Sequence, residues 1–256
     1  MSRLSHLFAS QKSKVLNVYC TAGYPHLQST MEVMQSLQKN GAHIIELGMP
    51  YSDPLADGEV IQKSSQIALE NGMTISVLFE QLKDMRKTIQ IPVVLMGYLN
   101  PILQYGIEAF CRKAKEVGID GFILPDVPIF EFENQYQALF EQFGLDFIFL
   151  VTPETKEERV LKLDRLSSGF LYAVSSSATT GKDTDFNKVA EYLQKLQAFS
   201  LKNPLLVGFG IKDKASFDAV NQYAQGAIIG SAYIQALSKG NSIEETTELF
   251  LKQVLG

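Results

Sequence analysis

Glu46 stands inside the apolar run "IIELG" that begins at Ile44, and a ten-residue segment from Gly48 leads to a second carboxylate, Asp57. If the run is a strand, alternation puts Ile44 and Glu46 on one face and Ile45 and Leu47 on the other. A carboxylate on the inner face of a covered strand is poorly solvated. It must hold a partner or carry a raised pKa, and a raised pKa suits proton exchange near neutral pH. The alternative is a structural glutamate bonded to a neighbouring hydroxyl or amide. Asp57, in "LADGEVIQ", reads either as the second member of an acid/base pair or as the cap of a helix that starts near Glu59. Asp53 before Pro54 is an ordinary turn opener.

The elements that must position these groups follow from periodicity. Short β-rich apolar runs begin at Val15, Ile44, Pro92, Gly121, Asp146, Phe170, Pro204 and Gly226, and segments of helical spacing separate them. Strict alternation of strand and helix means parallel pairing, and strands apolar throughout mean a sheet covered on both faces. Eight such units in 256 residues predict a (β/α)8 TIM barrel. A doubly wound dinucleotide fold is disfavoured because "CTAGYPHLQ" after the first strand has one glycine. Gly41, Gly118, Gly144 and Gly226 read as helix stops, and an additional N-terminal helix over about Arg3 to Gln11 is placed to close the barrel bottom. No linker or composition break divides the chain, which reads as a single domain over 1–256.

Composition narrows the function classes. The chain has 28 Asp plus Glu against 23 Lys plus Arg and no basic block, which argues against nucleic acid. No apolar run reaches membrane-span length and no cleavage signal follows the N-terminus, so a soluble, cytoplasmic protein is expected. Cys20 and Cys111 are expected to be reduced thiols in or near the core.

In a barrel the chemistry sits at the C-terminal ends of strands, and the loops after strands 7 and 8 commonly make a phosphate site. Here those loops read "VGFGIKDK" and "IIGSAYIQAL". Gly210, Gly230 and Ser231 would let backbone N–H groups and a hydroxyl approach phosphate oxygens at a helix start. The loop after strand 6, "SSSATTGKDTDF", has the composition of a lid in which Thr180 and Gly181 could close over the phosphate, or of a plain surface loop. Tyr19, Tyr98, Tyr172 and Phe209 stand at strand tops where they can line a flat apolar pocket. No strand ends in a lysine suited to a Schiff base, and His6, His26 and His43 do not cluster as metal ligands. The chemistry that remains is metal-free acid/base catalysis by carboxylates on a phosphorylated substrate.

The stretch "IELGMPYSDPLADG", Ile45 to Gly58, closely resembles the signature of the tryptophan synthase α subunit family, with further matches in "TAGYP", "MGYLNP", "PDVP", "TTG", "GFGI" and "GSA" along the chain. The resemblance implies a lyase that cleaves indole-3-glycerol phosphate to indole and glyceraldehyde 3-phosphate without a cofactor in this subunit. It makes Glu46 the general acid/base, taking the substrate hydroxyl proton and helping protonate indole C3. Asp57 would bind the indole N–H. Tyr172 would lie near the substrate, with Phe209 and Tyr98 against the indole. Gly181, Gly210, Gly230 and Ser231 would hold the phosphate. It also implies an αββα heterotetramer with a PLP-dependent β subunit that receives the indole, and it makes Asp53 and Pro54 contacts to that partner. The loops after strands 2 and 6 would then be both lids and partner contacts. Two positions depart from the commonest pattern: Ala178, where many relatives have glycine, and Glu59, where proline is frequent. Competing readings are another phosphate-binding barrel, such as an aminosugar-phosphate isomerase, and a regulatory subunit acting mainly on a β partner.

Overall fold

The apolar runs form nine parallel strands in the computed structural model, which describes residues 2–175, 186–208, 210–240 and 242–256. They are β1 (Val15–Thr21), β2 (Ile44–Gly48), β3 (Val93–Met96), β4 (Gly121–Ile123), β5 (Asp146–Ile148), β6 (Leu150–Val151), β7 (Leu171–Val174), β8 (Leu205–Gly208) and β9 (Gly226–Ile229). Their order in the sheet is β5-β4-β3-β2-β1-β9-β8-β7-β6. The two edges of that sheet are therefore the two halves of one predicted strand. β5 pairs with β4, β6 pairs with β7, and Phe149 lies between them. The Phe149 carbonyl still accepts the Tyr172 N–H at 3.0 Å, while its own N–H donates to Ser167 Oγ at 3.2 Å. The sheet closes on itself as a barrel, with the fifth strand broken where it changes partner.

Every residue of β1, β2, β3, β8 and β9 is buried, as strands covered on both faces must be. Helices clothe the outside, and several units carry two: Glu59–Glu70 and Ile75–Leu82 follow β2, and Leu99–Tyr105 and Ile107–Val117 follow β3. Cys20 on β1 and Cys111 on the helix Ile107–Val117 are buried free thiols.

The N-terminal helix, Arg3–Ser10, is capped by the Ser2 hydroxyl and buries Leu4 and Phe8. Leu4 lies over Gly169 and the Phe8 ring lies 6.3 Å from Phe170, just before β7 begins, so the helix covers the N-terminal end of the barrel. Arg3 reaches Asp120 Oδ1 at 2.9 Å, but its side chain is 43% exposed. Such a pair contributes about 0–1 kcal/mol. Burial of the two apolar side chains, at about 1.5–3 kcal/mol each, holds the helix in place.

Gly118 and Gly144 end helices in the left-handed conformation, and Gly41 follows one at φ +100°. Gly226 differs from expectation. The helix before it, Lys214–Val220, has already ended at Asn221, and Gly226 is the first residue of β9. A Cβ there would lie 2.0 Å from the Val15 carbonyl oxygen. Backbone cannot yield as a side-chain tip can. Gly226→Ala is expected to destabilise the protein by about 2–3 kcal/mol, read as a lower urea midpoint at unchanged m-value.

Candidate active site

Parallel register carries the inward position from strand to strand. Tyr19 on β1 pairs with Glu46 on β2, which pairs with Val94 on β3. Glu46 is 1% exposed. Its Oε2 accepts a 2.7 Å hydrogen bond from Asn17 Nδ2, two residues before Tyr19 on the same strand. Burial pushes the Glu46 carboxyl up to about 8; the Asn17 bond opposes that shift and the charge of Asp57 adds to it.

Asp57 is not a helix cap. Gly58 takes the cap position of Glu59–Glu70 without any side-chain bond. The Asp57 carboxylate instead accepts the Tyr98 hydroxyl at 3.0 Å, and that hydroxyl also accepts the Ala56 N–H at 3.0 Å. Burial raises the Asp57 pKa, against the effect of the Tyr98 bond. The Tyr98 ring lies 5.4 Å from that of Tyr51, whose hydroxyl accepts from Asn100. Asp126, in "PDVP", accepts the Leu99 N–H at 3.0 Å and so fixes the residue after Tyr98. A chain of bonds from the β4 loop through the β3 loop thus ends on the second carboxylate.

Two tyrosines wall the site, and each needs a glycine beside it. A Cβ on Gly48 would lie 2.1 Å from the Tyr19 hydroxyl oxygen, and one on Gly208 would lie 2.3 Å from that of Tyr172. The rings therefore lie across the C-terminal ends of β2 and β8. Glu46 and Asp57 both push the Tyr172 pKa up, in addition to burial, so all three groups face one space.

That space is a cavity of about 260 Å³. Of the residues singled out in the sequence it brings together Glu46, Asp57, Tyr19, Tyr172, Gly210, Gly230 and Ser231. Gly210 has φ +76°, and Ser231 opens the helix Ser231–Leu237. Ile61, Met96 and Ile228 supply apolar wall, and Lys212 and Gln235 lie at the glycine end. Tyr98 does not line the cavity; it stands behind Asp57. Asp53 and Pro54 lie apart from it, in the connection between β2 and the following helix, where Asp53 is bonded to Ser52 and Leu55 is 86% exposed. Thr180, Gly181, Phe209 and Ala178 lie outside the described residues. Sequence reasoning passed over Asn17, Asp126 and Lys212. The signal for Asn17 was available: an amide in the otherwise apolar stretch "VLNV".

The arrangement offers one carboxyl that keeps its proton at neutral pH and a second that accepts a hydrogen bond from a phenol, in a pocket whose far end is glycine backbone and a hydroxyl. It can donate a proton at one point of a substrate while stabilising positive charge at another.

Comparison with known proteins gives one answer. A model of the tryptophan synthase alpha chain family matches residues 6–254. The tryptophan synthase alpha chain of Flavobacterium johnsoniae is 49% identical over 94% of this chain and 96% of its own. That of Bacteroides thetaiotaomicron is 48% identical over the whole of both chains. Among solved structures, the tryptophan synthase subunit alpha of Legionella pneumophila superposes with a TM-score of 0.90 at 34% identity, covering 99% of this chain and 97% of that one. Tryptophan synthase of M. tuberculosis in its aminoacrylate-bound form gives 0.86 at 33%, covering 99% and 100%.

Proposed function

The chain belongs to the tryptophan synthase alpha chain family, a lyase family that cleaves indole-3-glycerol phosphate, and on that premise we propose that Glu46 and Asp57 carry the reaction here. The observation that supports this most is the pairing, in one cavity, of a carboxyl pushed up to about 8 with a second carboxylate held by a tyrosine hydroxyl.

The bond to be broken joins indole C3 to the carbon that bears the substrate hydroxyl. A carbanion at C3 is a poor leaving group, so the ring is protonated first. Neutral Glu46 gives its proton to C3, the positive charge develops at the ring nitrogen, and the Asp57 carboxylate accepts the ring N–H and stabilises that charge. Glu46, now a carboxylate, takes the proton of the substrate hydroxyl. The C–C bond breaks, its electron pair returns to the ring, and the hydroxyl oxygen becomes the aldehyde oxygen. Glu46 ends as it began. Tyr19 and Tyr172 flank the ring, Tyr98 holds Asp57, and Gly210, Gly230 and Ser231 receive the phosphate, with Thr180, Gly181 and Phe209 assigned to the same pocket by resemblance alone.

The protonated ring is its own electron sink, so no cofactor is assigned to this chain. Family membership implies a β subunit as partner; PLP chemistry is assigned to it, and an αββα assembly to the pair. Exposed Leu55 beside Asp53 and Pro54, with Leu103 after β3 and Phe130 after β4, 70% exposed, suits a face covered by that subunit. No helix among the described residues is long and apolar enough to cross a membrane. The purified chain, incubated with indole-3-glycerol phosphate alone and with a β subunit, is expected to release indole, faster with the partner. No indole under either condition would remove the reading, and equal saturated rates would remove the coupling between loop closure and partner.

A further inference from the structure

Asn17 is an expensive residue to keep in the middle of β1. Its register partners are Ile44 on β2 and Ile228 on β9, and an apolar side chain would suit that setting without polar atoms. It is wholly buried, and its Oδ1 has no hydrogen-bond partner among the described residues. One of its two polar ends is thus spent on nothing, while the other, Nδ2, makes the 2.7 Å bond to Glu46 Oε2. Buried orphan acceptors are uncommon and call for an explanation.

Among the described residues around Glu46, no other group performs this task. Tyr19 stands beside it on β1, and its hydroxyl accepts from Thr21. Cys20 on the same strand feels the Glu46 charge. Asp57 faces it from the β2 loop and Tyr172 from β7. Val94 on β3 has no polar atom to offer. Among the described residues Asn17 alone donates a hydrogen bond to the Glu46 carboxyl. Oε1 has no such partner, and Glu46 lines the cavity.

An amide N–H facing one oxygen of a carboxylic acid favours that oxygen as the carbonyl oxygen, because an O–H pointing back would meet another donor. We infer that Asn17 is the positioning residue of Glu46: its amide keeps Oε2 unprotonated and leaves the transferable proton on Oε1, the oxygen free to reach a substrate atom. When that proton has gone, the same N–H stabilises the carboxylate until it is reprotonated. The inference rests on Glu46 being the acid/base of the proposed reaction, but the hold of Asn17 on Glu46 can be measured apart from it.

Asn17→Leu removes the donor while keeping the branched four-atom skeleton of the side chain. A hydrogen bond to a charged group is worth about one to two pH units of carboxyl ionisation, or 10–100-fold in rate. The alkaline limb of the rate profile is therefore expected to move up by about one to two units, with kcat on the plateau falling about 10–100-fold and KM for indole-3-glycerol phosphate within about two-fold. The carboxyl infrared band that disappears in Glu46→Gln gives the Glu46 titration directly, and its midpoint is expected to move by the same amount. If the leucine variant does not fold, Asn17→Val, smaller and likewise without a donor or a charge, is expected to move the midpoint in the same direction. A folded variant whose infrared midpoint and alkaline limb match wild type overturns the inference, even if its stability is lower. Should Glu46→Gln still cleave substrate, the acid/base reading fails instead, and the infrared shift then reports on Asn17 alone.

Discussion

Glu46→Gln is expected to lower kcat for indole-3-glycerol phosphate cleavage by about 10³-fold, within the range that a positioned acid/base contributes. Glutamine keeps the length of the side chain and can still accept the Asn17 amide, but it cannot give or take the proton. Gly210, Gly230 and Ser231 are untouched, so binding of glycerol 3-phosphate, measured by calorimetry, should stay within about three-fold of wild type, a change of about 0.7 kcal/mol. The pH dependence has a definite sign. The neutral acid starts the reaction, so wild-type kcat/KM should fall as pH rises through about 8, where Glu46 ionises. Stability gives a second, independent readout. Between the ordinary value of 4.5 and the folded value of about 8, the folded protein holds a proton that the unfolded chain has lost. Stability therefore falls as pH rises across that window, by about 1.4 kcal/mol per unit at most. Glu46→Gln removes this dependence and should be more stable than wild type at pH 8 by a few kcal/mol. A variant that is inactive and also unfolded would mean that Glu46 serves the fold instead.

What the sequence disclosed about this site depended on the distance over which each residue finds its partners. Glu46 was legible because a period of two within five residues fixes the face it occupies, and closure of the barrel turns that face inward. Asp57 was not, because its place is set by a hydroxyl on Tyr98, 41 residues away on another βα unit, and that residue in turn by Asp126. Local reading allowed a helix cap, and only the tertiary bond decides against it. Gly226 looked like a helix stop because glycine before an apolar run commonly is one. Its reason for being glycine is the Val15 carbonyl, which no local pattern reveals. The break at Phe149 was hidden in the same way: six continuous apolar-rich residues from Asp146 carry no mark of the change of partner that closes the barrel. The two glycines under Tyr19 and Tyr172 are ordinary strand-end residues in sequence and become necessary only when the rings of the adjacent strands fall across them.

Asp57→Asn is the change that separates the two carboxylates, and it is expected to lower kcat by about 10²–10³-fold, the range for losing one stabiliser of developing charge. The asparagine oxygen can still accept from Tyr98, so the loop should keep its place and the loss should fall on kcat more than on KM. A change of geometry alone would give the opposite split. The neighbouring carboxyl supplies a signature that belongs to charge and to nothing else. Asp57 holds the Glu46 pKa up. With that charge gone, Glu46 should ionise at lower pH, and the alkaline limb of the residual activity should move down, opposite to the shift expected for Asn17→Leu. Tyr98→Phe tests the other side of the same pair. The phenol bond lowers the Asp57 pKa, so its removal should raise that value further and move the acidic limb, where Asp57 takes up a proton and loses its charge, to higher pH. The rate–pH profile then has two limbs with separate owners: Tyr98 moves one, Asn17 the other, and Asp57 both. If Asp57→Asn leaves both limbs where they stand in wild type, the two carboxylates do not share a substrate, and the pairing on which the reaction is built is not there.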